Sequence, residues 1–305
     1  MTPLPAQSAR AHRVAVTGAH GKLGRIVVGE LLEHGLAVVA IDRSTATDRD
    51  ARATERVADL ADSTAAAWAL EGCDALIHLA AITDPVSQPA PTMFLNNLAS
   101  TFNVLSAAVH HRLTRVVLAS SQSVLGHPWA STVLPLDYVP VDEAHPVRPV
   151  DPYALSKQLG EIEADYFARA HGLRVLSFRL SSVWLPEQFP WRPTVRLTET
   201  EQAAKSMWAY VDVRDAARAC RLATDTLWRG HKVLNVTSRW AIGNKPVPEL
   251  LAEWYPATTD IRVPLHACTP VFDWHKAEGL LGFRARYRWL PEGIVDMGVG
   301  PLDDA

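Results

Sequence analysis

Tyr153-Ala154-Leu155-Ser156-Lys157 places a phenol and an ammonium four residues apart, which on a helix is one face. A free tyrosine ionises near pH ~10 and is a poor base at neutrality. A neighbouring cation favours the phenolate and draws it toward the useful range. Ser121 lies just past the apolar run Arg115–Ala119, at the end of a strand, where ligands of open parallel sheets gather. Its hydroxyl could hold a substrate oxygen that Tyr153 deprotonates while hydride leaves the adjacent carbon. Ser121, Tyr153 and Lys157 therefore read as a catalytic set for oxidising an alcohol. A Tyr-x-x-x-Lys pair alone is common on surface helices, so the weight falls on what surrounds it.

A hydride needs an acceptor, and the chain opens with a place to bind one. Thr17-Gly18-Ala19-His20-Gly21-Lys22-Leu23-Gly24 separates a strand, Arg13–Thr17, from a helix running from about Lys22 to His34. Gly18 makes the tight turn, Gly21 lets backbone approach a pyrophosphate, and Gly24 lets helix and strand pack closely. His20, Lys22 and Leu23 complete this loop, and the helix N-terminus offers free amides and partial positive charge. Asp42 ends the second strand, 18 residues after Gly24. A carboxylate there accepts hydrogen bonds from ribose hydroxyls and repels a 2′-phosphate, which favours NAD over NADP. Arg43 follows directly and could bind that phosphate, so NADP stays open as a second cofactor.

These residues need a scaffold that brings strand ends together. Short apolar runs alternate with helical patterns through the first half, the signature of a parallel sheet covered on both faces. Strands are expected at Arg13–Thr17, Ala37–Ile41, the tail of one at Arg56–Ala58, Ala75–Ala80, Arg115–Ala119 and Arg174–Arg179. Long helices are expected over about Pro91–His111 and Tyr153–His171, the latter stopped by Gly172. The fold class is α/β: a Rossmann-type doubly wound parallel sheet with a small C-terminal substrate lobe. Residues 1–12 read as a flexible N-terminal tail and 13–180 as the NAD-binding domain. Residues 181–305 are mainly the substrate lobe, with about 210–240 returning to the sheet near Lys232–Val236.

With 305 residues, 48% of them hydrophobic, the chain can bury one large core or a core plus a small lobe. A net charge of −3 argues against nucleic acid or an anionic membrane as partner, and no apolar run is long enough to cross a bilayer. Cys73, Cys220 and Cys268 are odd in number and far apart, fitting neither a disulfide framework nor zinc. The 12 histidines form no metal-binding spacing, so no metal is expected and a reduced cytoplasmic protein is.

Taken in order, TGAHGKLG (from Thr17), VADLAD (Val57–Asp62), IHLAA (Ile77–Ala81), NLAST (Asn97–Thr101), LASSQSVLG (Leu118–Gly126), DPYALSK (Asp151–Lys157) and YVDVRDAARA (Tyr210–Ala219) resemble the extended short-chain dehydrogenases, the NAD-dependent epimerase/dehydratase family. A fainter match runs from Lys276-Ala277 to Leu281-Gly282-Phe283. The resemblance implies that Asp59 and Leu60 flank the adenine, that Leu79, Ala80 and Ala81 lie along the cofactor, and that Asn97 supports the site. It also implies a homodimer built on the helices near 93–111 and 153–171.

Departures from the family pattern narrow the chemistry. Sugar-nucleotide dehydratases of the family carry an Asp-Glu pair where this chain has Gln122 and Ser123, so no acid–base pair serves water elimination. Ser182 stands where nucleotide-sugar binders have asparagine. The pattern is most similar to uronate dehydrogenases, which implies that Thr83, Ser121, Gln122, Ser123, Tyr153 and Ser182 line a pocket for a free sugar or sugar acid. Arg192, Arg196 or Lys205 could supply a cation for a carboxylate, and Trp184, Phe189, Trp191 and Trp208 a stacking wall or merely the core of the lobe. Three readings follow: an NAD-dependent dehydrogenase of a carbohydrate-like small molecule, an epimerase that retains its cofactor, and a non-catalytic NAD(P) sensor. The intact serine, tyrosine and lysine set speaks against the third.

Overall fold

The structure, a computed structural model, describes residues 11–83, 88–191, 200–242, 245–290 and 292–300, without the side chains of Pro190 and Trp191. Most of the expected tail, together with Arg192, Arg196 and the Trp191 side chain, lies outside the described residues.

Seven strands form one parallel sheet in the order β3-β2-β1-β4-β5-β6-β9. They are β1 (Arg13–Thr17), β2 (Ala37–Asp42), β3 (Thr54–Val57), β4 (Ala75–His78), β5 (Arg115–Ser121), β6 (Val175–Leu180) and β9 (His231–Val236). Between β6 and β9 come β7 (Ser182–Trp184) and β8 (Tyr210–Asp212), which pair with each other outside the main sheet. The chain ends with the antiparallel hairpin of β10 (Tyr287–Leu290) and β11 (Gly293–Asp296). The helices are α1 (Lys22–Glu33), α2 (Ser63–Ala69), α3 (Ala90–His110), α4 (Pro152–His171), α5 (Glu201–Lys205), α6 (Val213–Asp225), α7 (Val247–Trp254) and α8 (His275–Leu281).

Parallel strands buried on both faces should be mainly apolar, and β4, β5 and β6 carry the runs Ala75-Leu76-Ile77, Val116-Val117-Leu118 and Val175-Leu176, with buried polar residues such as His78, Ser120 and Arg179 toward their ends. Val16, Ile77, Val117 and Phe178 pack with Val27 and Leu31 of α1, Ala216 and Ala223 of α6, and Ala277 of α8. The opposite face carries Ala15, Val39, Leu76, Val116 and Leu118 against Ala66 of α2, Val104 and Ala108 of α3, and Ala164 and Phe167 of α4. Ala11 joins the first cluster, and its amide donates to the Thr224 carbonyl oxygen, so the chain is anchored from there onward.

A third apolar cluster stands beyond the sheet. It joins Val124, Leu125 and Trp184 to Met207, Trp208 and Tyr210, and to Leu250 and Tyr255. Trp184 stacks on Tyr210 at 4.9 Å, and Trp289 and Phe189 close around them edge-on or tilted. Trp184, Phe189, Trp208 and Tyr210 thus belong to a core, and Trp184 and Trp208 are buried in it rather than forming an open wall.

Strand order reverses between β1 and β4, and in sheets of this kind the crevice outside the carboxyl ends at that reversal is where ligands bind. The glycine loop, Asp42, Ser121, Tyr153 and Lys157 all line that crevice.

Candidate active site

At the reversal the loop after β1 meets the chain leaving β4. Gly18 has φ +66°, and a Cβ on it would lie 2.8 Å from the Ala80 nitrogen. A Cβ on Gly24 would collide with the Gly18 carbonyl oxygen and with Ala19. Both glycines are therefore demanded by close backbone approach. Thr17, the last residue of β1, fastens the junction: its hydroxyl accepts from the Leu79 and Ala80 amides at 3.2 and 3.3 Å and faces His78 Nδ1 at 2.8 Å. Burial pushes His78 down to about 3, with the Lys157 charge adding to the effect, so the imidazole is neutral. Thr101 lies 3.4 Å from its Nε2. The proton on Nε2 with Nδ1 accepting from Thr17 is the tautomer that fits both hydroxyls.

The cleft at this junction has a volume of about 700 Å³. Gly18, His20, Gly21, Lys22, Leu23 and Gly24 line one end. The N-terminus of α1 has no side-chain cap and no acidic residue in its first turn, leaving its amides and partial positive charge facing the cleft. Asp42 and Arg43 also line the cleft, as do Asp59 and Leu60 after β3. Asp42 is oriented by two backbone amides, His20 at 3.0 Å and Arg43 at 2.8 Å. The His20 ring is engaged elsewhere, with Nδ1 2.8 Å from the Ser44 carbonyl oxygen and Nε2 3.3 Å from Glu55.

Leu79, Ala80, Ala81 and Thr83 continue the wall toward Ser121, Tyr153 and Lys157, which line the far end. Asp151 caps α4 by accepting from the Ala154 amide at 2.9 Å, and Pro152 starts the helix, which fixes where Tyr153 leaves it. The Ser121 hydroxyl stands close enough to the Tyr153 phenol to draw its pKa down, and itself donates to the Ser123 hydroxyl at 3.0 Å. The Lys157 ammonium donates to the Ala119 carbonyl oxygen at 2.7 Å and lies 5.7 Å from the Tyr153 ring centre. Burial pushes the Tyr153 phenol up to about 12, against the pull of Ser121. Desolvation is the largest influence on the phenol, and the nearby Asp151 carboxylate adds to the upward push. Burial also pushes Lys157 down to about 8, which leaves it mainly charged at neutral pH.

Five sequence candidates, Asn97, Gln122, Ser123, Ser182 and Lys205, stand off the cleft wall. Asn97 is buried behind it, its amide group exchanging hydrogen bonds with the Ile82 amide and carbonyl at 2.8 and 2.9 Å. Gln122 and Ser123 are buried in a short turn after Ser121, and the Gln122 amide donates to Ser182 at 3.4 Å. At the β6 end it is Ser181, with Leu180, Val183 and Leu185, that faces the cleft. Lys205 reaches the Ser131 carbonyl oxygen and Glu201. Sequence reading missed Ala58, Asn96, Ser100, Ala119 and Ser120, which also line the cleft. Asn96 and Ser100 share one face of α3 at i, i+4 spacing, a signal that was open to inspection.

Among the described residues no group of three His, Cys, Asp or Glu is placed to hold a metal ion, and no helix is long and apolar enough to cross a membrane.

The chain is similar to known proteins. The model of the NAD dependent epimerase/dehydratase family matches residues 14–237. The chain is 33% identical over 180 residues to an L-arabinose 1-dehydrogenase (NAD(P)(+)) of Haloferax volcanii, a match covering 57% of this chain and 67% of that protein. It is 30% identical over 173 residues to a uronate dehydrogenase of Pseudomonas syringae pv. tomato, covering 56% of this chain and 59% of that relative. Among solved structures it is similar to MoeE5 in complex with UDP-glucuronic acid and NAD, with 27% identity, a TM-score of 0.66, and coverage of 90% and 94% of the two chains.

Proposed function

The chain belongs to the NAD-dependent epimerase/dehydratase family, and from that premise we propose that it is an NAD-dependent dehydrogenase of a free sugar, sugar acid or similar small polyol, working through Ser121, Tyr153 and Lys157. The observation that carries the reading is the joining, in one cleft, of the glycine cradle after β1 with a serine, a tyrosine and a lysine from β5 and α4.

The residues present fit the cofactor. The backbone approach at Gly18 and Gly24 leaves no room for a side chain, and the uncapped α1 N-terminus suits a pyrophosphate. Gly18 to Gly24 would hold the phosphates, Asp42 the adenosine ribose, Asp59 and Leu60 the adenine, and Lys157 the nicotinamide ribose. Arg43 keeps NADP as the second candidate. NAD, when bound, supplies the hydride acceptor.

The remaining work belongs to the chain. Ser121 donates a hydrogen bond to the substrate hydroxyl oxygen and orients it toward Tyr153. Tyr153 takes the proton from that oxygen. Lys157, charged at neutral pH, stabilises the phenolate that does so and opposes the upward push of burial. Residues 181–305 supply the substrate lobe, with Ser181, Val183 and Leu185 at the cleft and the Trp208 cluster as its core. Dehydrogenases of free sugars and sugar acids are among the relatives, and Gln122 and Ser123 leave no carboxylate pair for dehydration. The reading extends to a cytoplasmic homodimer. Leu95 and Phe102 of α3 and Leu155, Ile162 and Tyr166 of α4 remain exposed, an apolar face that a second copy would cover.

An epimerase is the second reading, favoured by the likeness over 90% of the chain to a protein that binds a nucleotide sugar and NAD. One assay separates them: NADH absorbance while protein and NAD meet uronic acids, free sugars and nucleotide sugars. Net NADH with a free sugar or uronic acid is expected, and Tyr153→Phe should lower kcat by about 10³-fold, within the span of acid–base catalysis. Silence across the panel, with cofactor carried through purification, would establish the epimerase instead. Wild-type rates in Tyr153→Phe would end the proposed mechanism.

A further inference from the structure

The face of α4 that carries Tyr153 and Lys157 continues one turn further to Glu161, since residues at i, i+4 and i+8 lie above one another on a helix. Each of the three meets one of three consecutive residues at the end of β5. Tyr153 faces the Ser121 hydroxyl, Lys157 donates to the Ala119 carbonyl oxygen at 2.7 Å, and Glu161 Oε1 accepts from the Ser120 hydroxyl at 2.6 Å. The third rung is anchored from the next strand. Arg179 of β6 donates through Nε and a terminal nitrogen to the two Glu161 oxygens at 3.0 and 2.9 Å. Its other terminal nitrogen donates to the Glu143 carbonyl oxygen at 3.2 Å. Glu161 and Arg179 are both buried, so the pair is dry and its geometry is fixed by fork-to-carboxylate bonding.

We propose that Glu161, locked by Arg179, is a positioning residue that acts through Ser120 to hold the end of β5 against α4, and so sets Ser121 and Lys157 relative to Tyr153. The inference rests on the catalytic reading above. A buried ion pair is weak evidence for stability, since desolvation offsets much of its attraction. What this pair supplies is a fixed length between helix and strand. Ser120 is the neighbour of the residue that must hold the substrate oxygen, and Ala119, on its other side, receives the lysine. An ordinary helix-to-sheet contact through apolar side chains, such as Phe167 makes on the same helix, tolerates sliding. Hydrogen bonds of 2.6–3.0 Å to a forked cation and a hydroxyl do not.

The decisive variant is Ser120→Ala, which removes the rung and leaves the Glu161–Arg179 pair intact, so that no buried charge is orphaned. Two readouts are needed. Burial holds Lys157 at about 8, and the ionisable groups around it are Tyr153 and Glu161 on α4, neutral His78 on β4 and Arg179 on β6. If the rung keeps Lys157 seated, its titration, followed by NMR of the labelled lysine in the free protein, should move upward in Ser120→Ala by about one pH unit as water reaches it. In turnover, kcat per folded molecule should fall about tenfold with KM for NAD unchanged, because misplacement of reacting groups acts on the chemical step. Ser120→Thr, which keeps the hydroxyl, should restore both.

A lysine titration and a kcat that both match wild type in Ser120→Ala overturn the inference, as does a loss that Ser120→Thr fails to rescue. The titration requires no turnover, so the rung is tested even if wild type oxidises no sugar. Wild-type silence in the NADH assay counts against the catalytic reading alone.

Discussion

Residues 13–180 and the chain beyond Leu180 bury their surfaces by different means. In the first region periodic apolar side chains do the work: Val14, Val16, Leu76, Ile77, Val116 and Val117 fill both faces of the sheet, and α1, α3 and α4 lie over them. In the second, the aromatic cluster around Trp184 and Trp208 is joined by buried polar groups that reach for backbone. Asp215 on α6 accepts from the Arg286 and Tyr287 amides at 2.8–2.9 Å and faces Arg218 at 3.4 Å. Arg239, buried, donates to the carbonyl oxygens of Ala285, Gly298 and Gly300. Asp212 takes the Trp289 indole N–H at 2.9 Å. Regular packing gives a rigid frame that many sequences can build. Polar clasps give an irregular segment one defined path over that frame, at the risk that a single lost partner leaves a buried group unsatisfied.

The largest effect should come where the frame stops being tolerant, at the glycine loop. Gly24→Ala forces a methyl into the Gly18 carbonyl and Ala19 Cα, both backbone atoms with nowhere to go. The variant should lose NAD affinity by at least about 100-fold, with Tm falling as α1 is pushed off β1, since overpacking of this kind costs on the order of 3 kcal/mol. Calorimetric titration with NAD and a melting curve measure both. Binding within threefold of wild type would show that the loop yields, and would erase the contrast between a stringent cofactor end and a tolerant frame.

Next in size is the clasp. Asp215→Asn keeps the shape but replaces one acceptor oxygen by a donor and removes the charge facing Arg218. We expect destabilisation of about 2–4 kcal/mol, with the 283–298 segment cut by trypsin well before the sheet unfolds. The arginines at 284, 286 and 288 supply the sites. Unchanged proteolysis would mean that the apolar contacts of Phe283 and Ala285, both in the sheet-side cluster, suffice to hold the hairpin.

The same contrast governs what could be read from the sequence. Strands β1, β2, β4, β5 and β6 announce themselves as apolar runs, and α4 by Asp151-Pro152 at its start and Gly172, at φ +71°, after its end. β3 was caught only by its tail, because Thr54-Glu55-Arg56-Val57 is an edge strand of largely polar residues with no run to detect. The cleft residues carried by motif spacing, from Gly18 to Lys157, come together in the structure. At the β6 end Ser181 faces the cleft, while Ser182, expected from the family resemblance, lies in β7 beside the Gln122 amide, a placement that position in a motif does not reveal. Glu161 and Asp215 passed unnoticed for a different reason. Their partners are a strand serine 41 residues away and amides 71 and 72 residues away, and nothing in the local sequence points across such gaps. Nor could the sequence weigh burial against charge at Tyr153, since depth in the fold decides that balance.

The smallest effect tests the tolerant side of the comparison. Gly29 sits in the interior of α1, partly exposed, with nothing within 4 Å of where a Cβ would stand. Glycine in a helix interior costs roughly 0.5–1 kcal/mol relative to alanine, mainly through the freedom it returns to the unfolded chain. Gly29→Ala should therefore stabilise the protein by that amount and raise Tm by about 2 °C, with cofactor binding unchanged. It lies only five residues along the same helix from Gly24, yet the two alanine substitutions should move stability in opposite directions. If Gly29→Ala destabilises instead, α1 is held more tightly than its open neighbourhood implies, and the stringency of the cofactor end extends through the helix into the frame.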